Sequence, residues 1–334
     1  RVDGALRASV VAPPASAPEA VAKPRPRDRF AVASENATGV EVARAVLEDG
    51  GNAVDAAVAG LLVACAAHAS SCGPGGGGVA LVNPASADAY VVDFREVAPH
   101  GIRRADHLSK TPPEKRRGVM IGVPGMIAGL AKMHERSGKL PWKNLVSRAA
   151  DVIDAGIPLS PYMAQALSWS AKWVRDDPEA RRVFVTEAEA RVGEASKNPA
   201  LARALRVIAD EGASGFYTGD IASDVVNAAR AAGSRMTPAD LSSYEAVLRD
   251  PLRFTWHGLD VLTAPPPSGG GLTVAEVLGF LTPEDAKRAE WGSGGLIHVL
   301  AEGVRGAYAD RARVVGDPDF TKMDVPSLLH PARL

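Results

Sequence analysis

Apolar side chains recur three and four residues apart at Val40, Ala43, Val46 and Leu47, which predicts an amphipathic helix over 36–49. Ser34 can cap its first turn, and Gly50-Gly51 ends it. Asn52 can cap a second helix through Val54, Ala57, Val58, Leu61, Leu62 and Cys65. That segment is apolar almost all round, so it predicts a helix buried on every side. The period then changes to two. Residues 79–82 and 90–94 read as strands joined by a turn containing Asn83-Pro84. In the second strand Val91, Asp93 and Arg95 share one face, and Tyr90, Val92 and Phe94 share the other. From Val123 to about Ala232 the pattern is mainly helical, broken at Pro124-Gly125, Gly138, Pro141, Gly156-Ile157-Pro158 and Gly215. Thr237-Pro238-Ala239-Asp240 reads as a cap and first turn, and 254–263 as strands around Gly258. A loop over 264–271 precedes helices running to about Val314. The mixture predicts an α/β protein.

Residues 1–29 are rich in proline, alanine and basic side chains and poor in large apolar ones, so they read as an extended arm. No linker divides 30–334, which is expected to be a single domain. The whole chain of 334 residues is 46% hydrophobic and 23% charged, an ordinary globular mix. Its 38 basic and 39 acidic residues nearly cancel, which argues against a nucleic-acid binder held by phosphate contacts. No uninterrupted apolar run reaches the length of a membrane span, since 53–67 is too short and contains Asp55. Two cysteines, Cys65 and Cys72, are too few for a disulfide-stapled scaffold or a four-cysteine zinc site. The sequence starts at Arg1, as it would after removal of a signal peptide or by choice of cloning boundary.

Candidate chemistry is sparse. Gly73-Pro74-Gly75-Gly76-Gly77-Gly78 matches G-x-G-x-x-G, but a helix precedes it and a strand follows, the reverse of a dinucleotide site. Val79-Ala80 stands where a P-loop needs Lys and Ser/Thr. Two readings remain: a tight turn at close backbone packing, or a backbone lining for a substrate pocket. In Asp93-Phe94-Arg95-Glu96, an arginine at a strand end can fork onto a ligand carboxylate, or it can form a structural ion pair with Asp93 or Glu96. His68, His100, His107, His134, His257, His298 and His330 show no metal-ligand spacing, so no metal or cofactor is expected. Cys72 beside the glycines could be a reactive thiol, although no histidine partner is evident. No G-x-S-x-G elbow is present.

A longer series of motifs carries more. It runs Gly50-Gly51-Asn52-Ala53-Val54-Asp55-Ala56-Ala57, Gly75-Gly76-Gly77-Gly78, Asp93-Phe94-Arg95-Glu96-Val97-Ala98-Pro99, Val123-Pro124-Gly125 and Gly138-Lys139-Leu140-Pro141-Trp142. It continues through Phe216-Tyr217-Thr218-Gly219, Asp240-Leu241, Tyr244, Pro265-Pro266-Pro267-Ser268-Gly269-Gly270, Ala309-Asp310-Arg311 and Gly316-Asp317-Pro318-Asp319-Phe320. In order and spacing this resembles the large subunit of the gamma-glutamyltransferase family from about Phe30 onward.

The resemblance implies an N-terminal nucleophile hydrolase, a four-layer αββα sandwich shared with a small subunit cut from the same precursor. The family's Thr-Thr-His junction does not occur in the sequence, so the threonine nucleophile is expected on that second chain. The implied reaction moves the gamma-glutamyl group of glutathione and related amides to water or an amine, without a cofactor, in the periplasm or outside the cell. The resemblance assigns Arg95 to the alpha-carboxylate of the glutamyl group. It gives Glu96, Gly75, Gly76 and Gly77 supporting places. Cys72, Pro74, Val79 and Ser268-Gly269-Gly270-Gly271 depart from the family pattern and bear on pocket shape. A glutaryl-type cephalosporin acylase and a non-catalytic amino-acid-binding relative are the alternative readings.

Overall fold

A computed structural model describes residues 30–107, 117–184, 192–281, 290, 292–330 and 332–333. The arm expected over 1–29 lies outside the described residues. Val32–Leu334 forms one compact unit.

Helix α1 (Ala37–Glu48) is capped by Asn36, not Ser34. A cap side chain must reach the amide two or three residues into the helix, and Asn36 Oδ1 accepts from Gly39 N–H at 2.9 Å. Gly50, at φ 90°, turns the chain into α2 (Ala53–Ala67). Asn52 caps α2 as expected, and Asp55 completes a capping box by accepting from the Asn52 N–H at 2.9 Å. Asp55 is fully buried and also accepts from the N–H groups of Lys139 and Leu140, at 2.9 and 3.1 Å. The one charge in an apolar helix is therefore satisfied by backbone donors, as burial demands. It also joins two distant motifs.

Cys65 and Cys72 form a disulfide across the end of α2. Cys72 is thus no reactive thiol: its sulfur is already bonded.

Strands β1 (Gly78–Val82) and β2 (Tyr90–Phe94) follow. Next come the short α3 (Arg104–His107), a 3-10 turn Arg117–Met120, α4 (Met126–Ser137) and α5 (Trp142–Ala155). A two-residue strand β3 (Ile157–Pro158) leads to α6 (Pro161–Trp169), α7 (Ala171–Asp176) and α8 (Pro178–Phe184). Its partner β4 (Ala195–Ser196) precedes α9 (Pro199–Glu211), α10 (Ser214–Tyr217), α11 (Gly219–Ala231) and α12 (Pro238–Ser242). Thr237 and Asp240 form the expected capping box on α12. Then come β5 (Val247–Arg249), β6 (Leu252–Trp256), β7 (Leu259–Thr263), α13 (Gly269–Phe280), α14 (Gly294–Val314) and α15 (Val325–Leu328). Helix α13 starts at Gly269, inside the loop expected over 264–271.

The main sheet has the order β1-β2-β5, with both pairs antiparallel. Every residue of the central strand β2 is buried. Phe94 and Val92 join α2, α4, α5 and α9 in the core through Val58, Val63, Ile127, Leu130, Leu145 and Leu205. Strand β5 was not visible in the sequence, because three residues with Val247 and Leu248 exposed give no alternation to detect.

Candidate active site

Strand β2 runs through the core and emerges at Arg95, so a rigid element sets this residue's position. The backbone of Arg95 is held at both ends. Its N–H donates to Asp93 Oδ1 at 3.2 Å, and its carbonyl accepts from the Tyr244 hydroxyl at 2.8 Å. The guanidinium is exposed, and its Nη1 donates to the Pro267 carbonyl at 2.8 Å. The Pro266–Pro267 peptide beside it is cis. Among the described residues no carboxylate pairs with Arg95. Asp93 pairs instead with Arg249, Nε to Oδ2 at 2.8 Å. Glu96 makes no ion pair among the described residues; it lines an open recess together with Gly75, Val97, Ile102 and Gly122.

The glycine run lies against this strand end. Gly76 N–H closes a turn on the Gly73 carbonyl at 2.9 Å. The Gly76 carbonyl accepts from Gly125 and Met126 N–H, both at 2.9 Å, and so satisfies donors at the start of α4. A Cβ on Gly77 would overlap the Phe94 carbonyl and lie 3.0 Å from Arg95 Cα, so only glycine allows the approach. Close packing of backbone on backbone thus accounts for Gly77, Gly76 is tied in by its backbone hydrogen bonds, and Gly75 reaches the recess.

Two tyrosines buttress Arg95. Tyr217 donates to the Pro124 carbonyl at 2.9 Å and accepts from Ala128 N–H at 3.2 Å. Its ring stacks on Tyr244, with centroids 5.7 Å apart and planes 6° from parallel. Burial raises the pKa of both hydroxyls, and for Tyr244 the neighbouring Tyr217, Asp93 and Glu96 add to the rise. Both therefore remain protonated donors at any physiological pH. Motifs spread from Asp93 to Tyr244 in the sequence converge here on one strand end.

Arg249 and Asp319 escaped the sequence reading. Arg249 Nη1 and Nη2 donate to Asp319 Oδ1 and Oδ2 at 3.2 and 2.8 Å, a bidentate fork. Asp319 belonged to a conspicuous motif without an assigned role. Arg249 had no motif and ended an unrecognised strand.

Three of the histidines have structural partners. His68 Nε2 meets the Ser160 hydroxyl at 3.0 Å, His134 Nε2 meets the Leu140 carbonyl at 2.7 Å, and His100 Nδ1 meets Asp240 Oδ1 at 2.6 Å. Among the described residues no group of three His, Cys, Asp or Glu side chains could hold a metal. No helix among them is long and apolar enough to cross a membrane.

The Arg95 guanidinium thus stands exposed at the end of a buried strand, with a glycine turn packed against that strand end. The gamma-glutamyltranspeptidase family model matches residues 39–334, and the chain belongs to that family. It is similar to the glutathione hydrolase proenzyme of Escherichia coli, 31% identical over 99% of this chain and 59% of the relative. It is also similar to that of Pseudomonas aeruginosa, 34% identical over 92% of this chain and 56% of the relative. The chain thus spans less than two thirds of the relatives it matches. Among solved structures, the gamma-glutamyltranspeptidase from Pseudomonas nitroreducens complexed with L-DON superposes with TM-score 0.84 at 32% identity, covering 91% of each chain. The fold is therefore that of the N-terminal nucleophile hydrolases, the class expected from the motif series.

Proposed function

We propose that this chain is the large-subunit part of a gamma-glutamyltransferase that cleaves gamma-glutamyl amides such as glutathione. Arg95 binds the alpha-carboxylate of the donor through paired, charge-assisted hydrogen bonds. The nucleophile is a threonine at the head of a small subunit cut from the same precursor. Its hydroxyl attacks the gamma-carbonyl, its own alpha-amine takes the proton, and backbone N–H groups hold the oxyanion. The amine product leaves, and water or an acceptor amine then takes the acyl group from the threonine. The observation that carries this reading is the exposed Arg95 guanidinium, which has a carbonyl but no carboxylate beside it among the described residues. In the supporting roles, Gly76 and Gly77 keep the turn tight against the strand end, while Gly75 and Glu96 shape the adjoining recess. The reading puts the protein in the periplasm or outside the cell, where a disulfide such as Cys65–Cys72 persists.

The test uses the full-length protein with three probes. Turnover of gamma-glutamyl p-nitroanilide and glutathione, with little of a glutaryl amide lacking the alpha-amino group, supports the proposal. Preference for the glutaryl amide favours an acylase. Amino-acid binding without turnover of any probe favours a non-catalytic relative.

A further inference from the structure

Asp93 holds two groups at once. Oδ1 accepts the Arg95 N–H, and Oδ2 accepts from Arg249 Nε. The Asp93 side chain is 8% exposed, and a carboxylate so deeply placed draws in the nearest available cation. Two candidates stand close in the chain or the sheet: Arg249, fixed opposite Val91 by strand pairing, and Arg95, two residues along the chain with its guanidinium exposed. The structure resolves the competition. Arg249 takes the carboxylate, the far edge of its guanidinium is forked onto Asp319, and the Arg95 guanidinium stays unpaired among the described residues.

We infer that Arg249 is a positioning residue for donor binding. By occupying Asp93 it leaves that carboxylate to fix the Arg95 backbone and prevents it from capturing the Arg95 guanidinium. Asp319 anchors Arg249 in this place, which gives Gly316-Asp317-Pro318-Asp319-Phe320 a role. The inference rests on Arg95 being the donor's carboxylate site.

The test is a set of KM and kcat values for gamma-glutamyl p-nitroanilide with the full-length protein. Arg249→Ala should raise KM about tenfold with kcat within about threefold, since binding is lost while the reacting groups stay in place. Adding Asp93→Asn to Arg249→Ala should bring KM back to within about threefold of the parent, because asparagine still accepts the Arg95 N–H but attracts no guanidinium. A purely structural role for Arg249 predicts no such recovery. If Arg249→Ala gives no soluble protein, Asp319→Asn serves: it removes the anchor on the far edge of the Arg249 guanidinium, loosens its hold on Asp93 and should raise KM about threefold, again relieved by Asp93→Asn. An unchanged KM, or a raised KM that Asp93→Asn does not relieve, overturns the inference. Arg95→Ala measured alongside separates the two claims. If Arg95→Ala leaves KM and kcat unchanged, the reading of the site fails. If it impairs turnover while the Arg249 and Asp319 variants behave as the parent, only this inference fails.

Discussion

The Tyr244 hydroxyl donates to the carbonyl of Arg95 at 2.8 Å while its ring lies flat on Tyr217. The stack fixes the ring, the ring fixes the hydroxyl, and the hydroxyl fixes the strand end from which the guanidinium extends. Tyr244→Phe keeps the stack and deletes the bond. A hydrogen bond of this kind is worth about 1 kcal/mol, so KM for a gamma-glutamyl donor should rise roughly fivefold with little change in melting temperature. Steady-state kinetics beside a thermal melt checks this; an unchanged KM would show that the carbonyl needs no such tether.

Gly125 lies where a Cβ would overlap both the Phe94 carbonyl and the Tyr244 hydroxyl. One neighbour is central-strand backbone and cannot yield. Gly125→Ala should therefore cost about 3 kcal/mol or prevent soluble expression. A denaturant midpoint close to the parent's would contradict the packing described.

Glu276 on α13 is buried, with no hydrogen bond to either carboxyl oxygen among the described residues and Arg333 no nearer than 4.0 Å. Burial, helped by the Asp310 charge and opposed by Arg333, pushes its pKa up to about 7 from 4.5. Below 4.5 the carboxyl is protonated in both folded and unfolded chains. Between 4.5 and 7 the unfolded chain releases the proton while the folded one retains it, so stability falls as pH rises through this window. Glu276→Gln should melt close to the parent at pH 4 and above it at pH 8. Equal melting at pH 8 would mean that the carboxylate has found a partner.

Much of this architecture can be read from residues that act locally. Asn52 with Asp55, and Thr237 with Asp240, cap helices by rules that span three residues, so sequence reveals them. Tyr90–Phe94 alternates in sequence, yet both of its faces are buried, since the far side of the sheet is also covered. Asn36 outdid Ser34 because the helix starts later than the apolar pattern implied. The Arg249 contacts span 70 and 156 residues, and no local pattern encodes such a pairing. The strand-end position of Arg95 left a structural ion pair open and only the family resemblance of its motif singled it out; its freedom from Asp93 depends on Arg249, which only the fold brings near.

The central claim is that the Arg95 guanidinium receives the alpha-carboxylate of a gamma-glutamyl donor. The most direct measurement is kcat/KM of the full-length Arg95→Ala variant for gamma-glutamyl p-nitroanilide, with self-cleavage of the precursor followed on the same preparation. Loss of a charge-assisted, bidentate contact of about 3 kcal/mol predicts a fall of at least roughly a hundredfold, with the precursor still cut into two chains. Turnover at the parent's rate by a fully processed Arg95→Ala enzyme would contradict the account.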